Sequence, residues 1–509
     1  MTAPTDPARA QIRQLETGVP GLDEVLGGGL PEYAFVLLAG DPGTGKTTLA
    51  HQMMFSVATA ERPAVHFTVL GEPAVKMLRY QQQFSFFDIA SVDERIHFVN
   101  LTEEALARDL DRVLDSIVRT VERLNPSIVV VDSFRTISRA AGSKSGDGVG
   151  ELQSFLQRLA IHLTTWEVTS FLVGEYSIAE SQDNPVFTIA DGIIWLHQTP
   201  DRNSVVRKMQ VVKMRGQAPL PGLHTMRITD DGVQIFPRII RDSPALPHRP
   251  EERLSVGVVE VDEMLGGGIP VQDSALIAGP SGSGKSSLTT QFIAAGLGIG
   301  EPGVIAVFEE RPLEYMRHAK HMGPIFDQMV EQGLLEVLYL RPLDLSVDEV
   351  LLEIQSAVDR TGARRVVIDS LSGFELALAP SYREEFRESL YRMVSALTAH
   401  GATVFMTAET PTSFTDLVFS SNLVSFLTDD IIVQRYVELE GQLRKIMTVV
   451  KMRGSEHSQD VRLYDVTENG LVVGERLAEY SGLLTGVARR VAQGPASGRP
   501  DAQPSRGLE

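Results

Sequence analysis

The sequence predicts two tandem α/β domains, each with a central, mostly parallel sheet. The chain has 509 residues, which is enough for two domains with full hydrophobic cores. A stretch near the amino terminus recurs in the second half of the chain. Short apolar runs such as AFVLLAG, SIVVVDS and SFLVGE alternate with helical stretches, and such runs are typical of parallel strands buried on both faces.

The internal repeat defines the domains. Residues 17–49 correspond to residues 256–288 with one constant offset, which pairs Asp23 with Asp262 and Lys46 with Lys285. Further on, NPSIVVVDS corresponds to ARRVVIDS, and the segment VVKMRG occurs twice. Because the repeat spans whole domains, we expect a flexible start at 1–13, domains at 14–242 and 253–485, a proline-rich linker at 243–252 and a disordered tail at 486–509.

Composition narrows the functional class. The formal net charge of −19 disfavours a nucleic-acid backbone as the main partner, because phosphate contacts need clustered Lys and Arg. The absence of cysteine excludes disulfides, zinc-thiolate sites and thiol catalysis. The polar start, and the lack of an apolar run near the roughly 20 residues of a membrane helix, predict a cytoplasmic protein without a membrane partner.

Two phosphate-binding loops match the pattern GxxxxGK[ST], and each follows an apolar strand and opens a helical stretch. Glycines in such a loop let backbone N–H groups turn towards phosphate oxygens, and the helix dipole favours the negative charge. Lys46 and Lys285 are expected to neutralise the β- and γ-phosphates of ATP, and Thr47 and Ser286 to place a hydroxyl on Mg²⁺. The predicted ATP-binding residues of the two loops are Gly40, Gly43, Thr44, Gly45, Lys46, Thr47 and Thr48, and Gly279, Ser281, Gly282, Ser283, Gly284, Lys285, Ser286 and Ser287.

Asp132 and Asp369 end apolar strands downstream of the loops. An acidic residue at this place typically holds the Mg²⁺ shell through water. The alternative is a strand-end helix cap, since Ser133 and Ser370 follow.

Carboxylates that follow a second apolar strand are candidate catalytic bases. Glu309 and Glu310 lie beside each other there in the second repeat, and their mutual repulsion is expected to raise the pKa of one of them. The first repeat reads VLGEP at this place and keeps at most Glu72. The alternative for each residue is a solvated strand-end charge.

Lys213 and Arg215, and likewise Lys451 and Arg453, are two positions apart near the end of a strand, so their side chains share a face. Such a pair is suited to reach a γ-phosphate bound by a neighbouring subunit, in the manner of an arginine finger. The alternative is a surface charge pair, but its recurrence in both copies favours the functional interpretation.

Together these motifs resemble the KaiC family, the RecA-superfamily ATPases of the cyanobacterial circadian clock and their wider bacterial and archaeal relatives. The resemblance covers roughly residues 14–485. It implies two RecA-like domains, a double-ring homohexamer with ATP between subunits, a slow ATPase in the first domain, and an autokinase and autophosphatase in the second. It further implies that the two Lys/Arg pairs act across the subunit boundary and that Glu309 is the general base.

The predicted phosphoacceptor departs from the clock pattern of adjacent Ser and Thr. Ser425 occupies the Ser position, whereas Phe426 occupies the Thr position and cannot accept phosphate. Ser420 and Ser421 are the alternative acceptors, and the alternative role for Ser425 is a plain strand-edge hydroxyl. The stretch LGEPAVKMLRYQQQFSFFD in the first domain also differs, and it indicates a KaiC-like branch outside the clock.

These features lead to one expected function and two alternatives. We expect an ATP-hydrolysing, Mg²⁺-dependent serine/threonine autokinase whose nucleotide or phosphorylation state is recognised by a KaiB-like protein or a sensor kinase. The alternatives are a DNA-dependent RecA-type ATPase, which the acidic balance disfavours, and a hexameric scaffold that uses ATP only to hold the ring together.

Overall fold

A computed structural model describes residues 12–69, 74–107, 109–141, 148–181, 184–201, 204–238, 251–319, 325–340, 346–378, 386–410, 428–468, 470–485 and 488–490. The chain divides after residue 240 into two compact units. None of the described helices is both long enough and apolar enough to cross a membrane.

The first unit contains a nine-stranded sheet in the order β11-β10-β9-β8-β3-β7-β6-β4-β5. The six strands from β5 to β8 in that order run parallel, and β9, β10 and β11 continue the sheet in antiparallel fashion. The strands of this unit are β1 Gln14–Leu15, β2 Leu30–Pro31, β3 Phe35–Gly40, β4 Ala64–Thr68, β5 Ile96–Asn100, β6 Ile128–Asp132, β7 Thr169–Glu175, β8 Gly192–Asp201, β9 Ser204–Met214, β10 His224–Thr229 and β11 Gly232–Phe236.

Helices cover both faces of this sheet. Successive side chains of a strand point to opposite faces, and in β3 all of them are apolar or small and buried, so both faces need a covering layer. In β3, Phe35 and Leu37 pack with α5 and α7, whereas Val36 and Leu38 pack with α1 and α2. The helices are α1 Leu22–Leu26, α2 Lys46–Val57, α3 Ala74–Gln81, α4 Thr102–Leu106, α5 Leu110–Leu124, α6 Phe134–Ala141, α7 Gly148–Thr165 and α8 Pro185–Ile189.

The second unit repeats the strand order, since β14 to β22 occupy the places of β3 to β11. Its strands are β12 Arg253–Leu254, β13 Ile269–Pro270, β14 Ser274–Gly279, β15 Gly303–Val307, β16 Leu335–Tyr339, β17 Arg365–Asp369, β18 Thr403–Glu409, β19 Asp430–Leu439, β20 Gln442–Met452, β21 Arg462–Thr467, β22 Gly470–Arg476, β23 Tyr480–Ser481 and β24 Arg489–Arg490. Its helices are α9 Val259–Met264, α10 Lys285–Leu297, α11 Pro312–Ala319, α12 Ile325–Glu331, α13 Val347–Thr361, α14 Leu371–Ala377 and α15 Phe386–Ala399. The predicted fold class is therefore confirmed.

Strand register brings the predicted site residues to one edge of each sheet. Gly40 pairs with Glu175 and Thr68 with Asp132 in the first unit. Gly279 pairs with Glu409 and Val307 with Asp369 in the second. The carboxyl ends of parallel strands all meet at this edge, and it is where α/β proteins bind ligands.

Buried polar groups distinguish the two units. In the first, His51 of α2 and His66 of β4 are fully buried with ring centroids 4.7 Å apart. Thr290 and Ile305 occupy the same positions in the second unit. The second unit instead buries Arg365, whose guanidinium pairs with Glu301 at 2.9 Å and donates to the carbonyl oxygens of two further residues.

Candidate nucleotide-binding sites

Each phosphate loop is shaped by a glycine directly before its helix. Gly45 has a φ of 96° and Gly284 a φ of 99°, a left-handed conformation that glycine adopts without a Cβ penalty. A Cβ atom would also meet the Ile228 side chain at 2.5 Å or the Val466 side chain at 2.6 Å. Both helices then begin at the lysine, so their unpaired N–H groups lie at the loop.

The amino group of each loop lysine donates hydrogen bonds to backbone oxygens at the start of its own loop. Lys46 Nζ donates to the carbonyl oxygens of Gly40 at 3.0 Å and Asp41 at 2.7 Å. Lys285 Nζ donates to those of Gly279 at 2.9 Å and Pro280 at 2.8 Å. Burial lowers the pKa of both lysines, and nearby carboxylates act against this lowering. A bound phosphate would stabilise the charged form of each amine further.

The hydroxyl and the aspartate predicted to hold Mg²⁺ lie together in each site. Thr47 Oγ1 donates to Asp132 Oδ2 at 2.6 Å. Asp369 accepts from Thr407 at 2.5 Å, and Ser286 is hydrogen-bonded to it as well. Burial raises the pKa of both aspartates, and a divalent cation would oppose that rise.

The donor set of these sites fits Mg²⁺ bound with a nucleotide. Within the described residues, no group of three or more His, Cys, Asp or Glu side chains could hold a metal ion. Mg²⁺ in phosphate-loop proteins takes its remaining ligands from water and from the phosphates. In the second unit the cap of α14 is Ser370, which accepts from the Gly373 N–H at 3.0 Å, so Asp369 is not needed as a cap.

The paired glutamates of the second unit make different contacts. Glu309 Oε1 accepts from Ser370 Oγ at 2.8 Å, beside the predicted Mg²⁺ aspartate. Glu310 contacts His318 on α11 at 3.3 Å. The geometry therefore favours Glu309 over Glu310 as the carboxylate that belongs to the phosphate site. Glu72 lies outside the described residues, and so do Ser420, Ser421, Ser425 and Phe426.

The two Lys/Arg pairs have matching surroundings. Lys213 and Lys451 each donate to backbone carbonyls of the segment that precedes β8 or β19. Arg215 is paired with Asp191 at 2.9 Å, and Arg453 with Asp429 at 3.3 Å. The two arginine side chains remain 62% and 61% exposed, so a second molecule can reach them.

Sequence reasoning missed several residues at these sites. Glu175 and Glu409 end the strands next to the phosphate loops, and their signal was a carboxylate directly after an apolar strand. Tyr464 donates to the Ser283 carbonyl oxygen at 2.6 Å, and Tyr436 to that of Ser281 at 3.4 Å. These tyrosines lie far from the loop in sequence, and no motif indicates their role.

Comparison with known proteins agrees with the repeat. The family model "ATPase: KaiC" matches residues 15–239 and again residues 254–478. The circadian clock oscillator protein KaiC of Picosynechococcus sp. is 26% identical over 494 residues, covering 94% of this chain and 93% of that protein. Its namesake from Thermostichus vulcanus is 25% identical over 506 residues, covering 96% and 95%. The tandem fold, the two phosphate loops and this double match together show that the chain belongs to the KaiC family of ATPases.

Proposed function

We propose that this protein hydrolyses ATP with Mg²⁺, assembles as a homohexamer with ATP between subunits, and phosphorylates itself on a serine of the second domain. The observation that carries the kinase assignment is the contact between Glu309 and Ser370, next to Asp369. This contact puts a carboxylate at the phosphate edge of the second sheet, where an acceptor hydroxyl would need a base.

The proposed transfer uses groups of the second domain. The loop amides and Lys285 would bind the β- and γ-phosphates, and Ser286 and Asp369 would hold Mg²⁺, which would neutralise charge on the phosphates. Glu309 accepts the proton of the acceptor hydroxyl as its oxygen bonds to the γ-phosphorus. The bond from that phosphorus to the bridging oxygen breaks, and ADP leaves. Ser425 is the proposed acceptor, with Ser420 and Ser421 as alternatives.

Assembly would complete each site from a neighbouring copy. Arg215 and Arg453 are exposed, and each is held by an aspartate of its own unit. An arginine held in this way is preorganised to meet a phosphate that another subunit binds. Loss of either arginine is therefore expected to slow ATP chemistry only in the ring that contains it.

Mass spectrometry of the purified full chain with MgATP tests the proposal. Native spectra are expected to show a hexamer with two nucleotides per chain, and denaturing spectra to show one phosphate on Ser425. Glu309→Gln is expected to reduce labelling by about 100-fold or more while ATP stays bound. Glu310→Gln is the matched control and should label within about threefold of wild type, since its contact is with His318.

Three results would contradict this assignment. Unchanged labelling in Glu309→Gln would remove the base. Phosphate on Ser420 or Ser421 with none on Ser425 would move the acceptor. A monomer with a full complement of ATP would exclude sites that are completed between subunits.

A further inference from the structure

Glu175 stands beside the phosphate loop of the first domain. It is the last residue of β7, and its register partner on β3 is Gly40, the first glycine of the loop. On its other side, β7 pairs with β6, the strand that ends at Asp132. Glu175 therefore lies between the strand that leads to the lysine and the strand that leads to the magnesium aspartate, and its side chain is exposed.

The carboxylate of Glu175 influences the pKa of both Lys46 and Asp132. Burial lowers the pKa of Lys46, and Glu175 opposes this lowering more strongly than Asp132 or Asp41 does. Burial raises the pKa of Asp132, and Glu175 adds to that rise. In the second domain Glu409, which pairs with Gly279 as Glu175 pairs with Gly40, is the carboxylate that acts most strongly on the pKa of Lys285. Glu309 acts on that pKa and also on the pKa of Asp369. Among the described residues, Glu175 is thus the first-domain carboxylate that acts on the pKa of both the loop lysine and the magnesium aspartate, as Glu309 does in the second domain.

An arginine of the first domain fixes the backbone of Glu175. Arg135 of α6 donates to the Glu175 carbonyl oxygen and to Glu180 at 2.6 Å, and its guanidinium lies 5.7 Å from the centre of the Tyr176 ring. Ser372 takes the place of this arginine in the second domain, where its hydroxyl accepts from the Glu409 N–H at 3.2 Å. The end of this strand is therefore held by a charged donor in the first domain and by a hydroxyl in the second.

We infer that Glu175 is a catalytic residue of the first domain, where its carboxylate accepts the proton of the water molecule that attacks ATP. The inference rests on the proposed hydrolysis of ATP in that domain. The water oxygen bonds to the γ-phosphorus, the bond from that phosphorus to the bridging oxygen breaks, and ADP leaves. The proton on Glu175 then passes to the released phosphate or to solvent. Arg135 is a positioning residue for this step.

The test uses the full chain in a Glu309→Gln background, so that ATP turnover reports the first domain. Adding Glu175→Gln is expected to lower kcat by about 100-fold, with the Kd for ATP within about twofold of the background. Glu175→Asp should recover part of the rate. Glu122→Gln on the exposed face of α5 is the control that leaves turnover unchanged.

Four outcomes would overturn the inference. Turnover of Glu175→Gln within about threefold of the background would exclude the role. Loss of turnover in Glu72→Gln but not in Glu175→Gln would assign the proton to Glu72. Loss of ATP binding in Glu175→Gln would make the residue a binding contact. A background chain that does not hydrolyse ATP would overturn both the inference and first-domain hydrolysis, whereas the first three outcomes leave the proposed function intact.

Discussion

The two domains share a strand order but hold their phosphate loops differently. In the second, hydroxyls of Tyr464 and Tyr436 donate to carbonyl oxygens of the loop. In the first, Met226 and Gln198 occupy these strand positions, and the Met226 methyl group lies 3.2 Å from where a Cβ atom on the loop glycine Gly45 would stand. The two loops therefore share the left-handed backbone of the glycine before the helix, while the side chains that pack against them differ.

Beyond the matching lysines and aspartates of their sites, the two domains bury different titratable groups. Burial lowers the pKa of His51 to about 4 in the first domain and lowers that of His66 well below its usual value. Burial, together with Asp273 and Asp429, raises the pKa of Asp430 to about 8 in the second. The two histidines therefore disfavour a positive charge in the first domain, and Asp430 disfavours a negative charge in the second, so acid and base should affect the two domains unequally.

The largest expected difference concerns the loop lysines. Lys46→Ala should remove ATP from the first site alone and Lys285→Ala from the second alone, because each amine would lose charged contacts to two phosphates. The expected loss of affinity is about 100- to 10,000-fold at the altered site. Nucleotide counts by native mass spectrometry would fall from two to one per chain. Loss of both nucleotides in one variant would mean that the domains do not bind independently.

A buried ion pair gives the next effect. Glu301→Gln leaves the Arg365 guanidinium charged and only 2% exposed, so it should destabilise the second domain by about 3–5 kcal/mol. Hydrogen exchange of second-domain peptides during urea unfolding would measure it. Asp111→Asn, which breaks the exposed pair with Arg158, is the control and should cost less than about 1 kcal/mol.

At the place of Glu301 the first domain carries Arg62, which donates to the Glu167 carbonyl oxygen at 2.7 Å. The first domain should therefore be unaffected by Glu301→Gln. Both tryptophans, Trp166 and Trp195, belong to that domain, so fluorescence reports it separately. A shift in its unfolding midpoint would contradict the independence of the two cores.

The buried histidines should make the first domain acid-sensitive. The unfolded state binds protons below pH about 6.5, whereas folded His51 stays neutral down to pH about 4. Stability is therefore complete above pH about 6.5 and is lost as the pH falls, by about 2 kcal/mol for this residue at pH 5. Tryptophan fluorescence in urea at pH 7 and pH 5 measures the loss. His51→Thr with His66→Ile, the residues of the second domain, should flatten this slope, and an unchanged slope would refute the cause.

The smallest effect is expected at Asp430. Because its folded pKa is raised, the stability of the second domain is complete below the unfolded pKa and declines as the pH rises through about 8. The expected decline is about 1 kcal/mol between pH 7 and pH 8. Asp430→Asn should remove that decline in hydrogen-exchange experiments. Persistence of the decline would refute its assignment to Asp430, whose pKa is also influenced by Asp273, Asp429, Arg253 and Lys451.

Sequence patterns were sufficient for the fold because the strongest signals are local. The buried strand β3 and the glycines before α2 and α10 can be recognised from residues that are near each other in the chain. The loop motif and the strand-end aspartate predicted that Thr47 and Asp132 serve one Mg²⁺ site, and the two side chains are hydrogen-bonded in the structure. Tyr464 and Arg135 were not predictable, since their partners depend on side-chain contacts across strands that no spacing rule specifies.

The catalytic assignments remain predictions for a different reason. Glu309 and Glu310 look equivalent in sequence, and only packing separates the contact with Ser370 from the contact with His318. The expected pKa difference between them stays a prediction, as do Glu72 and the acceptor serines, which lie outside the described residues.

One irregularity of the sheets sets the direction of the Lys/Arg pairs. The register between β8 and β9 shifts at Ile193 and Ile194, so Val212 is an extra residue just before Lys213, and Val450 is the same before Lys451. Each extra residue is a β-bulge, so the side chains on its two sides no longer alternate between the faces of the sheet in the regular way. Deleting Val212 would leave every charge in the protein unchanged and yet turn the lysine towards the opposite side of the sheet. The proposed contact of this Lys/Arg pair with a neighbouring subunit would then depend on the number of residues in the strand, and not only on the side chains that it carries.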